Sequence, residues 1–165
     1  MTTASPPVAA AEDGAFVMLH SEFLTAVQEH KKITVVVFDN ASFGCINNLQ
    51  TAQGNATLCT EMRFRNPESG KLDGDFMPVD YAAIARAYGA KSFTVRTLAE
   101  LESAISEAKK IKNVPVLIDV KVLPKSMTEG YGAWWRVGSV EVGGTEANRA
   151  AWKVHVEHEQ AARKY

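Results

Sequence analysis

Cysteine is nearly absent. Cys45 and Cys59 are the only two, too few for a disulfide framework, so reduced thiols in a cytoplasmic protein are the default reading. A surplus of charge is also lacking. Eighteen Lys and Arg face 19 Asp and Glu, for a net charge of −1, which removes the electrostatic case for nucleic acid or an anionic membrane as partner. No apolar run approaches the length that spans a bilayer. No basic segment followed by a hydrophobic block opens the chain, so no secretion signal is read. Histidine is sparse as well, with four in total. His155 and His158 sit at i, i+3 on a charged helix with no Cys or carboxylate partner at zinc spacing, which reads as a solvated face. His20 reads as a packing or capping residue, and His30 carries no signal. Cys45 has no readable Cys–His–Asp arrangement and reads as a small buried hydrophobe.

What is present suits one soluble globular domain. The 165 residues are enough for a real core, and 46% apolar with 22% charged is ordinary composition. No internal repeat is seen. From His20 to His30 the pattern is helical, with Ser21 as N-cap and Phe23, Leu24 and Val27 on one face. Ile33–Phe38 is β-branched and almost continuously apolar, as in a parallel strand covered on both faces. Gln50–Pro78 is long and irregular, and such a loop is usually functional or flexible. A short helix opens at Val79–Tyr81 and stops near Tyr88–Gly89. Ser92–Arg96 reads as a strand. Thr97 caps a helix whose Leu98, Leu101, Ile105 and Ala108 form an apolar stripe, and Asn113–Pro115 ends it. Val116–Val122 is a further strand, and Glu146–Tyr165 an amphipathic helix. This alternation predicts an α/β fold, an open, mostly parallel sheet with helices on both faces.

Ligands of such sheets bind beyond the carboxyl ends of the strands. Asp13 and Asn40 both fall there, separated by a helix and a strand that return the chain to its starting rim. A carboxylate and an amide oxygen converging at one rim suit a small hard cation; magnesium takes one or two protein oxygens and completes its octahedron with phosphate and water. Gly14 allows close backbone approach, and Gly14–Ala15 with the following helix N-terminus can donate N–H groups to a diphosphate. Taken alone, an Asp-Gly turn and an Asn at a strand end are common loop chemistry.

The wording around these residues resembles the thiamine-diphosphate motif, which begins Gly-Asp-Gly and ends in an Asn-containing loop. Phe38 to Gln50, Gly70-Lys71-Leu72-Asp73-Gly74, Val122-Leu123-Pro124-Lys125 and Gly130-Tyr131 with Trp134-Trp135 resemble the trihydroxycyclohexane-dione acylhydrolases of myo-inositol catabolism, over roughly residues 13–165 and in the C-terminal, cofactor-binding domain of a longer enzyme. The resemblance implies a thiamine-diphosphate-binding fold. It implies a Mg ion held by Asp13, Asn40 and the Ser42 carbonyl, and a cofactor diphosphate contacted by Gly14, Ala15, Phe43 and Gly44 as well. It also implies a cytoplasmic homo-oligomer, or pairing with a pyrimidine-binding domain, acting on a cyclic polyol dione. None of these residues would carry a proton, so no catalytic residue is assigned. The proton-relay glutamate and the residue that bends the cofactor lie outside this chain, which predicts that the polypeptide alone is incompetent. Arg63, Arg65 and Lys71 read as solvated loop charges, and Lys125, Trp134 and Trp135 as tail packing or a sugar-like pocket. Two departures stand out. Glu12 replaces the first glycine of the motif, and Val8–Ala11 is a poor substitute for the expected first strand. Residues 1–11 are therefore expected to be a disordered leader, with residues 12–165 a domain truncated at that strand. The alternative is a non-catalytic remnant or association domain of the same fold; a flavodoxin-like ligand domain is a third option.

Overall fold

A computed structural model describes residues 6–126 and 140–162. In chain order they form β1 (Val8–Glu12), α1 (Asp13–Leu19), α2 (Glu22–Gln28), β2 (Thr34–Asp39), α3 (Gly44–Ala52), α4 (Tyr81–Ala87), β3 (Lys91–Val95), α5 (Leu98–Lys110), β4 (Val116–Lys121) and α6 (Glu146–Ala161). The four strands make one parallel sheet in the order β1-β2-β4-β3, so the α/β expectation holds.

Crossover handedness explains where the helices lie. The steps β1 to β2 and β2 to β3 run in one direction across the sheet, and a right-handed connection puts their helices on one face. There Phe16 of α1, Phe23 of α2 and Tyr81, Ala82 and Ala85 of α4 pack on Val37 and Leu117. The step from β3 back to β4 reverses direction, so α5 lies on the opposite face, its Ala104 and Ala108 against Val95, Val116 and Ile118. Local signals set the helix ends. Thr97 and Glu100 form a complete capping box on α5, Asp80 caps α4 through Ala83 N–H at 2.8 Å, and Gly89 takes φ +92° after α4.

The structure corrects several expectations. Val8–Glu12 is no leader: it is an edge strand, in register from Val8↔Thr34 to Glu12↔Phe38. Its Val-Ala-Ala-Ala sequence has weak strand propensity, but the exposed backbone of β2 supplies the ladder partners, and tertiary pairing outweighs propensity here. The first helix begins at Asp13, not at His20, and a break near His20–Ser21 divides the segment in two; Ser21 makes no side-chain cap bond. Leu24 is exposed, and α2 buries Phe23 and Ala26 instead. The second face of β2 is covered only in part: Val36 packs against the α5 cluster, but Phe38 is 42% exposed. On α5, Leu101 and Ala108 of the expected stripe pack toward the sheet together with Ala104, while Leu98 is 72% exposed and Ile105 also faces outward. The irregular stretch after α3 is tied down by the bridges Ser42↔Glu61 and Arg63↔Phe76. Among the described residues no helix is long and apolar enough to cross a membrane.

Leu117 is fully buried at the sheet centre, so Leu117→Ala is expected to cost about 2–5 kcal/mol in urea-unfolding free energy. Leu98→Ala should change it by less than about 0.5 kcal/mol. A large loss at Leu98 would mean that the stripe read from sequence is the packed one.

Candidate functional site

The carboxyl ends of β1 and β2 carry the residues singled out from sequence. β1 runs straight into α1, which puts Asp13 at the first position of that helix, fully buried. β2 ends at Asp39 and hands the chain to a tight turn, Asn40-Ala41-Ser42. Asp39 Oδ1 accepts the Ala41 N–H at 3.1 Å, and Ala41 adopts φ +56°, a left-handed conformation that costs energy for a side chain other than glycine. The turn aims Ser42 back at β1, where its N–H donates to Asp13 Oδ2 at 3.1 Å. Ser42 Oγ donates to Asn40 Oδ1 at 2.7 Å. Asp13, Asn40 and Ser42 therefore meet at one rim.

Two glycines permit this closeness. A Cβ on Gly14 would stand 2.6 Å from the Phe43 ring and 3.0 Å from Phe43 Cα, and one on Gly44 would stand 2.6 Å from Asn40 Nδ2 and 3.2 Å from Glu12 Oε2. Phe43 thus packs on the first turn of α1, with half-buried Ala15 in the same turn. Gly44 brings the N-terminus of α3 against Asn40. Glu12 reaches this helix end as well: the Cys45 N–H donates to Glu12 Oε2 at 3.4 Å.

Under the rim lies a charged layer that the sequence reading missed. Asp119, fully buried, and Lys121 project from β4, and Asp39 from β2. Lys121 Nζ pairs with Asp39 Oδ2, stands 2.9 Å from Asp119 Oδ2, donates to the Val79 carbonyl at 2.9 Å and lies 5.5 Å from the centre of the Tyr81 ring. Burial, and then the Asp39 carboxylate, push Asp13 up to about 7. Burial raises Asp119, against the opposing pull of Lys121. Burial would lower Lys121, but the hydrogen bonds and charges of Asp39 and Asp119 outweigh it and hold the ammonium above its usual range. Burial and the surrounding carboxylates also raise the Tyr81 phenol. Asp13 Oδ1 is buried and receives no hydrogen bond. A carboxylate buried with an idle oxygen is costly, and perturbed carboxyl groups in a polar rim mark candidate sites. The available signal was the alternation of Asp119 and Lys121 in an otherwise apolar strand.

The other sequence candidates lie away from this rim or beyond the described residues. His20 packs as expected, stacked on Tyr88 with its Nδ1 3.0 Å from the Tyr88 hydroxyl. His155 is not on a solvated face: it is half-buried, stacked on Trp152, with Nε2 3.3 Å from Glu159. Cys45 is exposed rather than buried, because the first turn of α3 faces outward there. Arg63 is not simply solvated: it pairs with Glu61 at 2.8 Å and covers the Phe76 ring. Lys125 pairs with Glu61 at 3.0 Å, and Arg65 donates to the Gly70 carbonyl. Lys71 is exposed and lines a loop cleft with Arg65. Gly130, Tyr131, Trp134 and Trp135 lie outside the described residues. Among the described residues no three His, Cys, Asp or Glu side chains converge as metal ligands; a cation at the rim would rest on Asp13 with amide and carbonyl oxygens.

Residues 2–120 match the model of the thiamine pyrophosphate enzyme C-terminal, TPP-binding domain. Over 153 residues the chain is 52% identical to the 3D-(3,5/4)-trihydroxycyclohexane-1,2-dione hydrolase of Geobacillus thermodenitrificans, covering 93% of this chain and 24% of that protein. The hydrolase of the same name from Clostridium perfringens is 50% identical over the same coverage. The chain thus spans about a quarter of the length of the curated relatives it matches. Among solved structures, benzoylformate decarboxylase from Polynucleobacter necessarius is similar at TM-score 0.58 and 28% identity, over 74% of this chain and 20% of that one. The thiamine diphosphate-dependent 4-hydroxybenzoylformate decarboxylase of Rhodococcus jostii RHA1 shares the fold at TM-score 0.57 and 18% identity, over 72% of this chain and 20% of that one. With a parallel sheet, a buried carboxylate at its rim and a family match over most of its length, the chain belongs to the C-terminal, thiamine-pyrophosphate-binding domain family of thiamine pyrophosphate enzymes.

Proposed function

We propose that this chain is the diphosphate- and Mg-binding domain of a thiamine-diphosphate-dependent hydrolase that opens a cyclic trihydroxy-dione by cleaving a C–C bond in myo-inositol catabolism. The idle, buried Asp13 Oδ1 carries the reading. It stands at the same rim as Asn40 and Ser42, in an all-oxygen donor set that suits a hard cation. Asp13, the Asn40 amide oxygen and the Ser42 carbonyl hold the metal in this reading. The first turn of α1 at Gly14–Ala15 and the Gly44 N–H supply backbone donors to the diphosphate in this reading, with Phe43 flanking them and its own N–H given to the Thr60 carbonyl at 2.8 Å. When bound, the cofactor supplies the nucleophile and electron sink for C–C cleavage. The residues of this chain bind and orient it and carry no proton. Proton relay and substrate closure belong to a pyrimidine-binding domain, in the same parent chain or on another polypeptide. We expect the isolated chain to be incompetent without it, and the working enzyme to be a cytoplasmic homo-oligomer.

A second reading, a non-catalytic member of the same fold, has one specific observation in its favour. The Glu12 carboxylate stands at the α3 N-terminus, where an anion would otherwise be received.

Titration of the chain with thiamine diphosphate and Mg²⁺ by calorimetry distinguishes the two. Binding that requires Mg²⁺ and is lost in Asp13→Asn and Asn40→Ala supports the cofactor reading; absence of binding supports the non-catalytic one. Turnover of the dione by the chain alone would refute its incompetence. Only the ionised Asp13 carboxylate accepts the metal, and its protonation near pH 7 competes. Affinity is therefore expected to fall as pH drops below about 7, by up to about tenfold per unit, with uptake of Mg²⁺ releasing a proton. A flat profile from pH 8 to 6 would overturn the raised proton affinity of Asp13, whereas its role as ligand is judged by Asp13→Asn. Glu12→Gly, which removes a negative charge from the α3 N-terminus where the diphosphate would bind, is expected to tighten binding by about tenfold. Weakened binding would instead make Glu12 a metal ligand.

A further inference from the structure

The turn that presents Asn40 and Ser42 does not hold itself. Ala41 is in the left-handed region at φ +56° without being glycine. Ser42 Oγ donates to Asn40 Oδ1 across the turn. Two backbone bonds tie the far side of the turn to the loop after α3, from the Met62 N–H to the Ala41 carbonyl and from the Phe43 N–H to the Thr60 carbonyl, each at 2.8 Å. What ties it to β4 is Asp39, whose two oxygens divide the work: Oδ1 takes the Ala41 N–H and Oδ2 takes the Lys121 ammonium. Lys121 is only 19% exposed and is fastened from three sides, by Asp39 on β2, by Asp119 on its own strand β4, and by the Val79 carbonyl on the segment entering α4. Fixing the Asp39 carboxylate in this way orients the Asn40–Ala41 peptide. Together with the Met62 N–H on the Ala41 carbonyl, it sets the direction of the Ser42 N–H toward Asp13, 3.1 Å away.

We propose that Lys121 is a positioning residue for the rim: its ammonium locks Asp39, and through Asp39 the Asn40-Ala41-Ser42 turn, into the conformation that faces Asp13. For the cofactor this rests on the diphosphate reading above, because the pinned turn holds two of the three oxygens assigned to the metal. Outer groups that orient ligands typically alter metal affinity by about 10- to 100-fold when removed. Arg and Lys differ in shape but share the positive charge that Asp39 and Asp119 require.

The test uses the full chain without ligand, then with Mg²⁺ and thiamine diphosphate. In Lys121→Met, amide hydrogen exchange at Ala41 and Ser42 is expected to accelerate by at least about tenfold, while the amides of β2 and β4 stay protected. The same variant should bind Mg²⁺–thiamine diphosphate about 10- to 100-fold more weakly. Lys121→Arg should recover most of both. Unchanged exchange at Ser42 in Lys121→Met overturns the proposal, and so does equal loss in Lys121→Arg, which would assign the effect to something other than the cation. If Lys121→Met loses sheet protection as a whole, Asp39→Asn decides. It keeps an oxygen for the Ala41 N–H and leaves Lys121 paired with Asp119, yet removes the Asp39–Lys121 ion pair. Faster exchange at Ser42 there supports the pin, and wild-type exchange overturns it. Because exchange needs no cofactor, a wild-type chain that binds no thiamine diphosphate defeats the diphosphate reading while Ser42 still judges the role of Lys121.

Discussion

The rim depends on one hydrogen bond, from the Ser42 N–H to the buried carboxylate of Asp13. It joins the ends of two neighbouring strands, and each close contact around it is a condition for it. Phe43 lies against Gly14 because no Cβ intervenes, Gly44 lies against Asn40 for the same reason, and Ala41 accepts an unfavourable backbone so that Ser42 turns back toward β1. Burying a carboxylate is costly unless its lone pairs are met. Asp13 meets that cost with one oxygen and leaves the other idle, an arrangement that suits a site better than a core.

The layer below follows the same logic. Asp39 and Asp119 share one ammonium, that of Lys121, beside the ring of Tyr81. Buried ion pairs of this kind contribute little to stability compared with a well-packed apolar replacement, whereas removing one partner is strongly destabilising. Such a layer is better explained by what it orients than by what it stabilises. The apolar core on either side, Val37 and Leu117 on one face and Val116 and Ile118 on the other, is sufficient to hold the sheet.

Much of this was legible in the residues. The run Ile33–Phe38 announced β2, Thr97 with Glu100 announced α5, and Gly89 announced the end of α4, because each depends on neighbours within one turn or one strand. That Asp13 and Asn40 lie at the carboxyl ends of neighbouring strands was legible from the intervening helix and strand together with the motif wording. The edge strand was not. Val8–Glu12 is poor in strand formers and becomes a strand only through backbone bonds to β2. The buried side of α5 was legible in part. Leu101 and Ala108 of the stripe pack toward the sheet, but Ala104, not the larger Leu98 or Ile105, completes that side. Asp119 and Lys121 looked like ordinary polar positions in a strand, since nothing local says that Asp39 waits on the neighbouring strand.

By itself the sequence determined the fold class, the Thr97 cap of α5 and the two oxygen-bearing side chains at strand ends, because strand propensity, capping and turn chemistry act over a few residues. The tertiary structure alone decided that β1 exists, which face of each helix is buried, and that Lys121 sits between two carboxylates. Those outcomes depend on backbone pairing and charge contacts between segments far apart in the chain, and such contacts leave no periodic trace in it.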